Sequence, residues 1–258
     1  MKLACRLLAI LLAVLCLAGC AAQNTSDLEY VKNKGTMIVG ITNYPPMDYK
    51  DENGEWTGFD AELARLVADK LGVKAEFLVL ADWGKKIYEL DSKNIDVIWN
   101  GMTITDEILK NASCSDPYVL NAQVVVMAAD KIADYPDAKS LKGLTIAVEN
   151  GSAGEDALKA AEIADYVALQ DMAAALMEVA AGTADACVID ITMAQNMTGE
   201  GTDYANLDIA FSLTSEEYGI AFRKGSDITA KVNEILDQFR QDGTLQALAD
   251  KYNLTLAE

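Results

Sequence analysis

Short apolar runs rich in β-branched residues alternate along this chain with stretches whose apolar residues recur every three or four positions. The runs predict strands at Met37–Thr42, Ala75–Leu80, Asp96–Trp99, Gln123–Ala128, Leu144–Glu149, Tyr166–Leu169, Ala186–Asp190, Asp208–Phe211 and Tyr218–Phe222. A helical period places Leu63, Leu66, Val67 and Leu71 on one face of Asp60–Leu71. Trp83–Leu90, Ala157–Ile163, Met172–Ala181 and Ile228–Phe239 carry the same period. The alternation predicts an α/β architecture with mostly parallel sheets. Asp51-Glu52-Asn53-Gly54 reads as a hairpin-type turn and Thr198–Thr202 as a loop. No Gly/Pro/Ser-rich linker divides the body. Pro117–Ala122 and Leu213–Glu217 are candidate crossovers, and a chain that leaves one lobe and later returns makes both of them hinges. Ligand sites of α/β sheets lie beyond the carboxyl ends of strands, so two facing lobes form a cleft.

The N-terminus follows a different pattern. Lys2 and Arg6 precede an uninterrupted apolar run from Leu7 to Leu17. That run falls short of the roughly 20 residues that span a bilayer and reads as a secretory signal peptide. It ends in Leu17-Ala18-Gly19-Cys20, small residues before a cysteine, which resembles a bacterial lipobox with cleavage before Cys20 and lipid on its thiol. Residues 1–19 are then the signal peptide, and 20–34 the lipidated cysteine and a tether. Of the other cysteines, Cys5 and Cys16 fall in the signal, leaving Cys114 and Cys187 in the body. Two cysteines make no disulfide framework, and both read as small buried side chains.

Composition narrows the function classes. The 258 residues amount to one large domain or two small ones. They include 21 Lys+Arg, 40 Asp+Glu and no histidine. Without histidine there is no His-ligated zinc, Ser-His-Asp triad or Cys-His dyad. Removing Lys2 and Arg6 leaves 19 basic against 40 acidic residues, a net charge near −21. So acidic a chain is a poor partner for nucleic acid. An apolar fraction of 51% builds a core rather than a disordered chain.

Several motifs then point one way. Tyr44-Pro45-Pro46, Gly58-Phe59-Asp60-Ala61-Glu62-Leu63, Gly101-Met102-Thr103-Ile104-Thr105, Ser115-Asp116-Pro117-Tyr118, Asp185 to Asp190, Gly219 to Gly225 and Asp242-Gly243-Thr244-Leu245 occur in this order. Together they resemble the bacterial extracellular solute-binding proteins, family 3, which supply polar amino acids to ABC importers. The resemblance implies a two-lobed periplasmic-binding-protein-like (type II) α/β fold with two hinge crossovers. Lobe 1 is then 35–121 plus 218–258, and lobe 2 is 122–217.

The same resemblance implies the site. Asp190 ends an apolar strand, where a turn or helix cap is the plain alternative; by resemblance it receives the ligand ammonium. Ser152 and Glu155 form an S-x-x-E capping box, and Ser152 with Ala153 resembles a carboxylate-binding turn. Backbone groups at Asn100 and Gly101 and the Thr103 hydroxyl resemble further contacts. Tyr44 and Trp83 match wall positions. Glu149 stands where the ligand side chain is touched. Ile108 stands where the family carries a carboxylate-clamping arginine, and Arg65, Arg223 and Arg240 offer no obvious substitute. A ligand carboxylate then rests on backbone N–H groups, Thr103 or an unforeseen lysine. The Gly40–Tyr44 loop is about one residue short, and Met47 replaces the usual Phe.

Two pocket carboxylates without an arginine favour a ligand that brings positive charge. The expectation is a monomeric, lipid-anchored, extracytoplasmic binding protein for a polar or cationic amino acid or amine, serving ABC importer subunits without cofactor, metal or catalysis. The alternatives are a sensor component acting in trans and a dehydratase-like enzyme on the same scaffold.

Overall fold

The computed structural model describes residues 26–258, so the signal segment and Cys20 lie outside the described residues. Two sheets carry the fold. The first runs in the order β4 (Lys74–Val79), β1 (Thr36–Ile41), β5 (Val97–Thr103), β13 (Glu216–Arg223) and β6 (Ala112–Cys114), with β7 (Val119–Asn121) paired to β13. The second runs β10 (Tyr166–Leu169), β9 (Ile146–Glu149), β11 (Ala186–Asp190), β8 (Gln123–Ala128) and β12 (Leu207–Ser212). Every strand of the second sheet thus lies between the two predicted crossovers.

Neither sheet is mostly parallel, which corrects the expectation. β1 is parallel to β4 and β5, and β9 to β10 and β11. β13 is antiparallel to β5, β6 and β7, and β8 to β11 and β12. The physical reason is the crossover. β8 and β13 enter their sheets from the other lobe rather than through a helix on the same sheet, so they need not run with their neighbours. The crossover strands pair with each other, Glu216 opposite Asn121 and Tyr218 opposite Val119. The hairpin turn at Asp51–Gly54 joins β2 (Tyr49–Lys50) to β3 (Trp56–Thr57).

Helix boundaries follow their caps. Helix α1 (Asp27–Lys34) corrects the tether expected over residues 20–34. Ser26 caps it by accepting from the Glu29 N–H at 3.0 Å. Val31 is fully buried, and Asp27 accepts from Arg223 Nε at 2.9 Å. Arg223 also donates to the carbonyls of Leu90 (3.2 Å) and Ile95 (2.9 Å), so this arginine locks α1 to the first lobe. Helix α2 (Phe59–Leu71) buries Leu63, Val67 and Leu71, whereas Leu66 is exposed at the edge of the apolar stripe. A single turn at Trp83–Lys85 leads into α3 (Lys86–Asp91), and α4 (Asp106–Asn111) follows β5. Helix α5 (Ala153–Ala160) starts four residues before the predicted Ala157, because Ser152 caps it by accepting from the Glu155 N–H at 3.1 Å. Helices α6 (Met172–Ala181) and α7 (Ile191–Met197) flank β11. The chain closes with α8 (Ile228–Gln241) and α9 (Thr244–Tyr252), packed against α2. Cys187 is buried but Cys114 only partly so; they sit in different sheets and both are free thiols.

Candidate functional site

The carboxyl ends of β5, β9 and β11 open onto one cavity of about 390 Å³ between the sheets. Nine of the ten residues expected at the site line it: Trp83, Asn100, Gly101, Thr103, Ile108, Glu149, Ser152, Ala153 and Asp190. Tyr44 does not. It is fully buried behind Asp190, and its hydroxyl donates to Asp190 Oδ2 at 2.9 Å.

Asp190 is the N-terminal flanking residue of α7, yet its side chain makes no capping bond. It accepts instead from the Tyr44 and Tyr218 hydroxyls (2.9 and 2.6 Å) and from the Gln123 amide. Thr192 Oγ1 joins the same hydroxyl cluster. Burial, with the charge of Glu216 next in weight, pushes the Asp190 carboxyl up from 3.8 to about 7. Burial and then the negative charge of Asp190 push both tyrosines up as well, so they stay protonated donors. Tyr44 belongs to the first lobe and Asp190 to the second, so this cluster bridges the cleft.

Gly101 shows why its position excludes a side chain. Its φ is +56°, and a Cβ there would stand 2.5 Å from the Tyr44 ring. Its N–H donates at 2.6 Å to the buried Asp60, which also takes the Tyr118 hydroxyl and the Trp99 indole N–H. Burial lifts Asp60 to about 7. The Asn100 side chain faces Thr42, with bonds of 2.9 and 2.8 Å, so only its backbone serves the cavity. Thr103 Oγ1 donates to Glu216 Oε1 at 2.8 Å. That oxygen also accepts from Asn121 and Gln123, both at 2.6 Å, so one carboxylate of the second crossover gathers donors from the first crossover and from β5 and β8.

On the second lobe the capping box is incomplete. Glu155 accepts from the Gly151 N–H at 2.7 Å rather than from Ser152. Ser152 and Ala153, the cap and first residue of α5, line the cavity, so the first turn of that helix opens onto it. Glu149 is 2% exposed, and its Oε1 has no hydrogen-bond partner. Burial, and secondarily Asp190, hold its carboxyl well above the usual range. Trp83 and Ile108 line the cavity and also pack into the apolar cluster of Leu90, Ile98 and Met102, so wall and core roles coincide.

Sequence pattern missed Lys86, Gln123, Thr192, Glu216 and Tyr218. Gln123 and Glu216 begin strands, where a polar residue reads as an edge, and Tyr218 lies two residues into β13. Lys86 opens an amphipathic helix, where lysine reads as solvent-facing, yet it is 9% exposed and lines the cavity. No signal in one sequence marks these residues, because each acquires its neighbours only when the lobes meet. The lobes also touch at Asn150 Nδ2, which donates to Asp82 Oδ1 at 2.9 Å, and at the Gly84–Gly151 backbone contact.

The family model described as bacterial extracellular solute-binding proteins, family 3, matches residues 37–255. The L-cystine-binding protein TcyJ of Escherichia coli (strain K12) is 33% identical over 93% of this chain and 92% of its own length. The arginine-binding extracellular protein ArtP of Bacillus subtilis (strain 168) is 31% identical over 92% of each. Among solved structures, the ancestral amino acid-binding protein AncCDT-1, a precursor of cyclohexadienyl dehydratase, superposes with a TM-score of 0.80 at 34% identity. It covers 88% of this chain and 99% of its own.

Proposed function

The chain belongs to the bacterial extracellular solute-binding proteins, family 3, and from that premise we propose that it captures a polar or cationic amino acid, or a related amine, in the cleft between its lobes and presents it to an ABC importer. The observation that carries this reading is the convergence of Asp190, Thr103 and Ser152 from two separate sheets on one cavity. Asp190 takes the ligand ammonium, Trp83 and Ile108 wall the ligand, and the first turn of α5 offers N–H groups to an anion. Relatives named for binding cystine and arginine support an amino-acid ligand.

The crossovers act as the hinge, and ligand contact with both lobes favours the closed arrangement. The role is capture without chemical change, a reading supported by relatives named for binding cystine and arginine. The protein acts outside the cytoplasm as a monomer, held to the membrane by lipid on Cys20. Intact-mass measurement of the membrane-bound protein tests that anchor, which requires a lipid-modified N-terminus at Cys20.

A thermal-shift panel of amino acids and amines, followed by calorimetry on the hits, tests the function. A ligand at 100 times its Kd should stabilise by about 2.7 kcal/mol. The ligand should be recovered unchanged after prolonged incubation. Absence of any amino-acid or amine hit refutes capture, and a transformed ligand refutes the non-catalytic role.

A further inference from the structure

The floor of the cleft carries a charged pair of which the family resemblance supplies only Glu149. Lys86 enters from the first lobe, at the start of α3, and Glu149 from the second, at the end of β9. Both line the cavity and both are buried. The Lys86 ammonium lies 4.9 Å from the centroid of the Trp83 ring. Among the described residues it donates to two backbone carbonyls, Trp83 at 3.3 Å and, across the cleft, Gly151 at 2.9 Å. An ammonium has three N–H donors, so one is left for another acceptor. No carboxylate among the described residues forms a salt bridge with it, so its charge faces the cavity uncompensated at contact range. Glu149 is the converse, a buried carboxylate whose Oε1 lacks a donor. By contrast the rim charges are exposed, and Lys159 there is already paired with Glu155 and Asp156.

Resting on the function proposed above, we infer that Lys86 is the receptor for the ligand carboxylate and Glu149 the receptor for a second, side-chain cation. Lys86 thereby fills the role left open by Ile108. The buried groups facing the cavity comprise two acids, Asp190 and Glu149, and one base, Lys86. A ligand with an ammonium, a carboxylate and a cationic side chain meets each of them with its opposite. Buried charges are tolerated when paired, and such a ligand pairs them all. A neutral amino acid leaves Glu149 only the attraction of Lys86, and a decarboxylated amine leaves Lys86 only that of Glu149, neither of them a contact ion pair. Because Lys86 already reaches Gly151 on the other lobe, a carboxylate held there sits at the seam that closes.

Calorimetry of the intact protein with three probes separates the roles: L-arginine, L-citrulline, which is uncharged in the side chain, and agmatine, which lacks the carboxylate. L-arginine should bind at least tenfold more tightly than either. Lys86→Met keeps an unbranched stem against Trp83 and removes the charge. It should weaken L-arginine by about 10- to 100-fold, the size of a lost charge-assisted bond, and change agmatine less than threefold. Glu149→Gln should remove the preference for L-arginine over L-citrulline. A thermal melt of each variant establishes that it is folded. Equal losses for L-arginine and agmatine in Lys86→Met would assign Lys86 to lobe packing and overturn its role as receptor. A wild-type protein that binds L-citrulline as well as L-arginine overturns the Glu149 assignment while leaving amino-acid capture intact. Binding of none of the three, with a hit elsewhere in the amino-acid panel, overturns this inference alone; no hit anywhere overturns both.

Discussion

Replacing Asp190 by Asn probes the binding site and the energetics of the cleft in one variant. Asp190 is 5% exposed and accepts from Tyr44, Tyr218 and Gln123, yet burial still lifts its carboxyl from 3.8 to about 7. Unfolded, the acid ionises at its ordinary value; folded, it holds its proton until about 7. The folded state therefore binds more protons in that window, and stability falls as pH rises through it. Below 3.8 there is no penalty, and above about 7 the full penalty applies, with a ceiling of about 4 kcal/mol. At about pH 4.5 only about 1 kcal/mol of it is present. Asn cannot ionise and carries none of it. Its carbonyl still accepts from both tyrosines, but its NH₂ turns toward Gln123, whose amide must flip against Glu216. That flip costs the same at every pH and drops out of a comparison between two pH values. Melting the ligand-free proteins at about pH 4.5 and about pH 7.5 isolates the ionisation. The variant should gain about 3 kcal/mol relative to wild type between the two, or roughly 6–12 °C in Tm for a chain of this size. The same variant should lose about 10- to 100-fold in affinity for an ammonium-bearing ligand. A variant-minus-wild-type gap that stays constant with pH would refute the buried-charge argument. Unchanged affinity would remove Asp190 from ligand contact.

Two further substitutions test how the lobes meet. Gly151 has φ +68°, and a Cβ on it would lie 2.4 Å from the Gly84 Cα, backbone against backbone. Gly151→Ala should hold the lobes apart, so that small-angle scattering detects no contraction on adding ligand and affinity falls at least about tenfold; a variant as compact and tight as wild type would sink this. Glu216→Gln keeps an acceptor for Thr103, Asn121 and Gln123 but removes the charge that helps raise Asp190 after burial. It should cost about 1–2 kcal/mol in chemical unfolding and move the Asp190-dependent stability loss to lower pH; an unmoved pH profile would show that burial alone sets the Asp190 carboxyl.

The sequence by itself determined the elements and most of the cavity wall. Strands such as Gln123–Ala128 and Ala186–Asp190 and helix Met172–Ala181 are written in local periodicity, and the structure places them at those residues. Motif order placed Asp190, Thr103, Glu149 and Ser152 at strand ends and helix starts, which is where α/β folds build sites. What it misjudged shares one physical origin. Strand direction in β8 and β13, the docking of α1 through Arg223, and the burial of Lys86 depend on partners 59 to 196 residues away. Local pattern reads lysine at a helix start as solvated and a polar strand start as an edge, because it carries no information about what will face it. Only the tertiary structure decided that Tyr44, Gln123, Glu216 and Tyr218 surround Asp190 and that Lys86 faces Glu149 across the cleft. Juxtaposition of two lobes, each folded from its own pattern, sets the burial of these groups, and burial sets their charge.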